Sequence, residues 1–197
     1  MRLGIFGGTF DPPHVGHLLA AVDAVERLAL DRLVLVPAAN QPLKTGLVRT
    51  PAEHRLAMTR LLVGDDGRFA VDSMEIDRAG LSFSVDTLAA FAERHPAAER
   101  FFLVGADVLR TFDRWREPAR VLELATLVVL TRDDGKDEMA IPVAARRLPT
   151  RRIDVSSTEI RARVAAGRSL LGFVPDAVAA YIAAHGLYRE GRACSSG

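Results

Sequence analysis

Residues 3–17 read LGIFGGTFDPPHVGH, and this stretch decides the fold. Leu3–Phe6 is a short apolar run, and Val15 opens an amphipathic stretch that continues to Leu30. Between them, Gly7–His17 packs glycines, two prolines and two histidines into a junction that an Asn, Asp or Ser turn could make alone. An apolar strand, a glycine loop and a helix form the first unit of a parallel α/β sheet, with a loop built to hold something.

The same rhythm continues outward. Apolar runs recur as RLVLVP (32–37), RFAVDSMEI (68–76), RFFLVG (100–105) and ATLVVLT (125–131), separated by amphipathic stretches at Val15–Leu30, Pro51–Val63 and Ser84–Arg94. Alternation of this kind predicts a parallel sheet with helices on both faces. In the first helix, Val15, Leu18, Leu19, Val22 and Val25 follow the spacing of one buried face. The second is expected to start at Pro51 behind a capping Thr50, with Leu56, Met58 and Leu62 among its apolar residues. Residues 132–152, RDDGKDEMAIPVAARRLPTRR, are polar and Pro-interrupted and read as a loop with a short helix. A short strand at RIDV (152–155) and two helices then close a single domain over 1–188, with 189–197 a disordered tail.

Composition sets bounds on function. At 197 residues, roughly 70% of the unfolded surface can be buried. Apolar residues make up 49%, charged residues 26%, and the net charge is +1, which suits a soluble globular protein and supplies no electrostatic pull on nucleic acid. The sole cysteine, Cys194, rules out an intrachain disulfide and fits the cytoplasm. The first residues lack a signal-peptide pattern, and no run approaches the 18 or so apolar residues of a membrane span. Association into a homo-oligomer is left open.

In open parallel sheets ligands bind beyond the carboxyl ends of the strands, where Gly7–His17 lies. Gly7 and Gly8 let backbone N–H groups approach a bulky anion, and the following helix aims its positive end at the same point. The spacing matches neither GxGxxG nor GxxxxGK[ST], so another nucleotide fold is required. His14 and His17, three apart, can share one face, and Gly16 keeps that face open. Each imidazole can donate to a phosphate and, with an ordinary pKa of about 6.5, can take a charge beside one. A zinc site lacks a third ligand nearby, so no metal-ligating residue is assigned. Farther on, Ser156 and Glu159 form a capping-box pattern, and Arg161 follows close to the positive end of that helix, where a cation is disfavoured unless an anion sits near.

GGTFDPPHVGH resembles the HxGH box of the nucleotidyltransferase superfamily, and the likeness extends over nearly the whole chain to the bacterial nicotinate-nucleotide adenylyltransferases. VPAANQPLK, EIDRAGLSFSVDTL, FFLVGADVLRTFDRW, VSSTEIR and VPDAVAAYIAAHGLY carry it. The resemblance implies a Rossmann-like, doubly wound parallel sheet of nucleotidyltransferase type with C-terminal helices. It implies an adenylyltransferase that joins ATP to nicotinate mononucleotide, with Mg²⁺ held mainly by the ATP phosphates. By that likeness Gly7, Gly8, Thr9, Phe10, His14, His17, Gly105, Asp107, Ser157, Thr158 and Arg161 serve ATP, with His14, His17 and Arg161 catalytic. Asn40, Lys44, Ser84 and Trp115 serve the mononucleotide, Trp115 by stacking on its pyridine ring.

Two departures concern the acceptor side. QPLK puts Gln41 and Leu43 where many members carry Pro and His, and SFS puts Phe83 where a tyrosine is frequent. The alternatives are an adenylyltransferase for nicotinamide mononucleotide or another phosphorylated acceptor, a nucleotide sensor, or an RNA-binding module using the basic ARRLPTRR (145–152). Near-neutral charge and few aromatics weigh against the last.

Overall fold

The computed structural model describes residues 1–39, 50–78, 80–106, 111–132, 145–151 and 153–189. Six strands, β1 (Arg2–Gly8), β2 (Arg32–Pro37), β3 (Phe69–Val71), β4 (Glu99–Gly105), β5 (Thr126–Arg132) and β6 (Ala145–Thr150), form one sheet in the order β3-β2-β1-β4-β5-β6. Every pairing is parallel. The order reverses between β1 and β4, where Ile5 faces Phe102 and Phe6 faces Leu103. This is the doubly wound arrangement that opens a crevice between the loops after those two strands.

Strand residues alternate between two cores. Leu33, Leu35, Phe101, Leu103 and Val128 enter one; Val34, Val36, Phe102, Val104, Leu127 and Val129 enter the other. Period-two alternation with both faces apolar is what burial on two sides requires. The first face is covered by α1 (Val15–Arg27), α2 (Ala52–Val63), α6 (Ser157–Ala165) and α7 (Asp176–Ala184). The second is covered by α4 (Ser84–Arg94) and α5 (Pro118–Leu124), with α3 (Met74–Arg78) beside β2. No described helix is long and apolar enough to cross a membrane.

Several boundaries differ from the sequence reading. Helix α1 stops at Arg27 because Ala29 takes a left-handed φ of 48°. Its buried stripe is Ala21, Ala24 and Val25, while Val15, Leu18, Leu19 and Val22 are half-buried; small residues at the contact let the helix lie close to the sheet. Pro51 is the N-cap of α2 and not its first residue, so Thr50 is not the cap. The run 68–76 splits: β3 ends at Val71, and the Asp72 carboxylate accepts the Met74 N–H at 2.9 Å, which turns the chain into α3.

The largest correction lies at 145–150, expected as loop with the strand after it. These residues form β6, paired with β5 from Ala145↔Leu127 to Thr150↔Arg132, and 153–156 are not strand. As the sheet edge, β6 tolerates Pro149 and the exposed Arg146 and Arg147 while burying Leu148 and Thr150. The basic patch is therefore an edge strand. A short helix anticipated within 133–144, and the tail from 190 onward, lie outside the described residues.

Candidate active site

The glycine loop leaves β1 at the reversal point, with Gly7 paired to Val36 and Gly8 to Pro37. A Cβ on Gly8 would stand 2.8 Å from the Phe10 ring, so close packing by Phe10 requires the glycine there. Phe10 itself has φ 51° and is 2% exposed, its ring set edge-on to Phe6 and His17. Any contact it gives a ligand is a backbone contact. Gly105 ends β4 with open space where a Cβ would stand. Thus the floor of the crevice is bare backbone on both sides of the reversal.

His14 is the N-cap of α1, and His17 sits in its first turn. Their rings lie 3.8 Å apart. The His14 backbone N–H donates to His17 Nδ1 at 3.2 Å. A nitrogen that accepts carries no proton, so a neutral His17 holds its hydrogen on Nε2, the atom that can donate outward. His14 is buried, and burial pushes its pKa down to about 4; its ring is neutral near pH 7. Its Nδ1 has no hydrogen-bond partner among the described residues. A Cβ on Gly16 would come within 3.0 Å of the His14 ring, which gives the open face between the histidines a steric cause.

The second loop meets the first. Ser156 caps α6 by accepting the Glu159 N–H at 3.1 Å. Ser157 Oγ then donates to the Pro12 carbonyl at 2.8 Å, and Arg161 Nη1 donates to the Asp11 carbonyl at 2.7 Å. Arg161 Nη2 also donates to Thr158 Oγ1 at 3.1 Å. These bonds span 145 and 150 residues of chain, so the imidazoles and the distal guanidinium share one mouth. The Asp11 carbonyl and the Thr158 hydroxyl satisfy part of the need for an anion that the position of Arg161 suggests.

On the acceptor side, Ser84 is the first residue of α4, whose N-cap, Phe83, makes no side-chain capping bond. Trp115 is half-buried, its ring tilted against Phe112 at 5.2 Å and edge-on to Phe102 at 6.1 Å. Phe102 in turn lies 3.6 Å from where a Gly7 Cβ would be, so Trp115 borders the crevice through it. Arg116 lies over the Phe83 ring at 5.0 Å, which places the Trp115 segment beside the start of α4. Asn40, Gln41, Leu43, Lys44 and Asp107 fall outside the described residues.

Three side chains under the site escaped the sequence reading. Arg55 is 1% exposed, completing with Met58, Thr59 and Leu62 the buried face of α2, while Leu56 is only half-buried. A charged residue at i in an i, i+3, i+4, i+7 stripe is the signal that could have found it. Asp11 is buried and accepts the Tyr188 hydroxyl at 2.7 Å. Burial, the largest influence, together with the neighbouring Asp11 carboxylate keeps the Tyr188 phenol protonated. Among the described residues, no three His, Cys, Asp or Glu side chains gather as metal ligands.

The pattern that defines the cytidylyltransferase-like family matches residues 5–163. A protein of Gemmatimonas aurantiaca named "Probable nicotinate-nucleotide adenylyltransferase" is 54% identical over 96% of this chain and 93% of its own. A Thermus thermophilus protein of the same name is 47% identical over 96% of this chain and 100% of its own. In fold, the chain is similar to a solved Plasmodium falciparum nicotinic acid mononucleotide adenylyltransferase complexed with NaAD. The TM-score is 0.76 at 17% identity, covering 95% of this chain and 97% of that one.

Proposed function

We propose that this chain, which belongs to the cytidylyltransferase-like family and within it to the nicotinate-nucleotide adenylyltransferases, transfers the adenylyl group of ATP to nicotinate mononucleotide. The products are nicotinate adenine dinucleotide and pyrophosphate. The observation that carries the reading is the stitching of α6 to the glycine loop through Ser157–Pro12 and Arg161–Asp11. It sets two sources of N–H and hydroxyl donors around one crevice at the strand reversal.

The reaction is a direct displacement. A phosphate oxygen of the mononucleotide forms a bond to the α-phosphorus of ATP as the bond from that phosphorus to the bridging oxygen breaks, and the electron pair leaves with pyrophosphate. The attacking oxygen is already anionic near neutral pH, so no protein nucleophile is needed. The protein aligns the two phosphates and neutralises charge on the α-phosphoryl oxygens and the leaving group.

His17 donates from Nε2 to the α-phosphate, and the neutral His14 holds it in that tautomer through its backbone N–H. The backbone of Gly7, Gly8, Thr9 and Phe10 lines the phosphates, and Gly105 leaves space for the nucleoside, whose ribose Asp107 would accept from. Ser157 through its backbone N–H, Thr158 through its hydroxyl and Arg161 through its guanidinium hold the β- and γ-phosphates. Magnesium would arrive on the ATP phosphates, where it retains waters and takes few protein ligands, and would shield their charge. A single cysteine, which can form no intrachain disulfide, supports the cytoplasm as the chain's compartment.

For the acceptor, Trp115 offers a flat face to the pyridine ring, with Asn40, Lys44 and Ser84 around it. The start of α4, lacking a side-chain cap, suits a carboxylate better than an amide, since backbone N–H groups and the helix end both favour negative charge. Pyrophosphate release from ATP with a panel of acceptors tests the reading. Nicotinate mononucleotide is expected to be used in preference to the amide; equal use of both defeats the acid preference, and release with neither defeats the reaction.

A further inference from the structure

Arg55 has its guanidinium buried under the site, and its acceptors are all backbone carbonyls. Nη1 donates to Thr9 at 2.8 Å and Ala38 at 2.6 Å, Nη2 to Ala39 at 3.0 Å, and Nε to Thr50 at 3.2 Å. Thr9 belongs to the glycine loop. Ala38 and Ala39 follow β2, and Thr50 precedes α2, so these residues flank the segment that carries Asn40 and Lys44. The Ala39 peptide is gripped from its other side as well, its N–H donating to Ser82 Oγ at 3.1 Å.

Apolar packing would fill the core at this position with less desolvation than an arginine. What arginine adds is a rigid planar fork that reaches several acceptors at once, which lysine cannot reproduce. Resting on the adenylyltransferase reading, we propose that Arg55 is a positioning residue. It locks the nucleotide loop and both flanks of the acceptor segment into one register, so that the mononucleotide phosphate meets the α-phosphorus in line. The two sides depend on it unequally. The glycine loop is also held by Ser157 and Arg161, and is tied to Ala38, whose N–H donates to the Gly8 carbonyl at 2.9 Å, whereas among the described residues Ala39 itself has only Ser82 besides.

The test is Arg55→Lys in the full chain, assayed for both substrates, with hydrogen exchange at the Ala39 amide. Misplacement on the scale of an ångström predicts a kcat about 100-fold lower and a mononucleotide KM about 10-fold higher, with the ATP KM within about two-fold. A purely structural loss would lower Tm and the active fraction without separating the two KM values. A folded Arg55→Lys with both KM values unchanged, or shifted alike, overturns the proposal.

If Arg55→Lys does not fold, Ser82→Ala, which removes the far grip on Ala39 together with the Ser82 hydroxyl's bond to the Glu75 carboxyl, is expected to give the same KM split at smaller scale; no split overturns it. Exchange at Ala39 keeps this separate from the reaction itself. Faster exchange there with β4 unaffected supports the positioning even if wild-type protein forms no dinucleotide, and unchanged exchange in a folded Arg55→Lys refutes it whatever the substrate.

Discussion

The Arg161 guanidinium donates to the Asp11 carbonyl at 2.7 Å, joining residues 150 apart in sequence. One donor group ties the α6 helix to the glycine loop while its other arm reaches Thr158, so Arg161 both builds the mouth and lines it. Arg161→Ala is expected to lower the initial rate of pyrophosphate release by about 100- to 1,000-fold, the usual loss for one preorganised donor. Arg161→Lys keeps the charge but not the two-armed geometry and should recover only part of it. Wild-type rates in Arg161→Ala would remove the residue from the reaction.

His17 is half-buried and its Nδ1 is fixed by the His14 backbone. His17→Ala should reduce kcat by a similar factor of about 100 to 1,000, with Tm lowered only modestly, because the ring is half-buried and meets the core only at Phe6 and Phe10. Single-turnover rates measured with saturating ATP check this. A Tm collapse with normal residual activity per folded molecule would reverse the assignment, making His17 a structural residue.

The buried His14 confers a pH dependence on stability. Its folded pKa lies at about 4, below the ordinary value, so between about pH 6.5 and pH 4 the unfolded chain takes up a proton that the folded chain refuses. Stability is therefore full above about pH 6.5 and falls as pH drops toward 4, by about 3 kcal/mol from this group. Urea unfolding at pH 7 and pH 4.5 should show a steeper loss for wild type than for His14→Asn. Parallel losses would mean that the ring titrates normally.

Gly16→Ala places a Cβ within 3.0 Å of the His14 ring. That ring is buried and confined, so the substitution is expected to destabilise by about 1–3 kcal/mol, as overpacking does, and to disturb the His14–His17 pair. Thermal melts and turnover should fall together. An unchanged melt would show that His14 has room to move.

How much the sequence discloses depends on the range of the interaction. The sheet strands on both sides of Gly7 were legible because Leu33–Val36 and Phe101–Val104 are apolar without interruption, and the α6 cap because Ser156 and Glu159 are three apart. The edge strand β6 was not, since Arg146, Arg147 and Pro149 disguise a segment whose only buried side chains are Leu148 and Thr150. Histidines three apart on one helix can be read from spacing. The burial of Arg55 shows in its place on the stripe with Met58, Thr59 and Leu62, but its role does not, because its partners Thr9, Ala38, Ala39 and Thr50 are carbonyls, identical for every residue type, and only the fold brings them to one guanidinium. Tyr188 and Asp11 pair across 177 residues for the same reason.

A crystal structure with a non-hydrolysable ATP analogue decides whether both segments hold the triphosphate. The α-phosphate is expected within hydrogen-bonding reach of His17 Nε2, and the β- and γ-phosphates on Ser157, Thr158 and Arg161. An analogue bound with its phosphates on only one of these two segments, or away from the β1–β4 crevice, would contradict it.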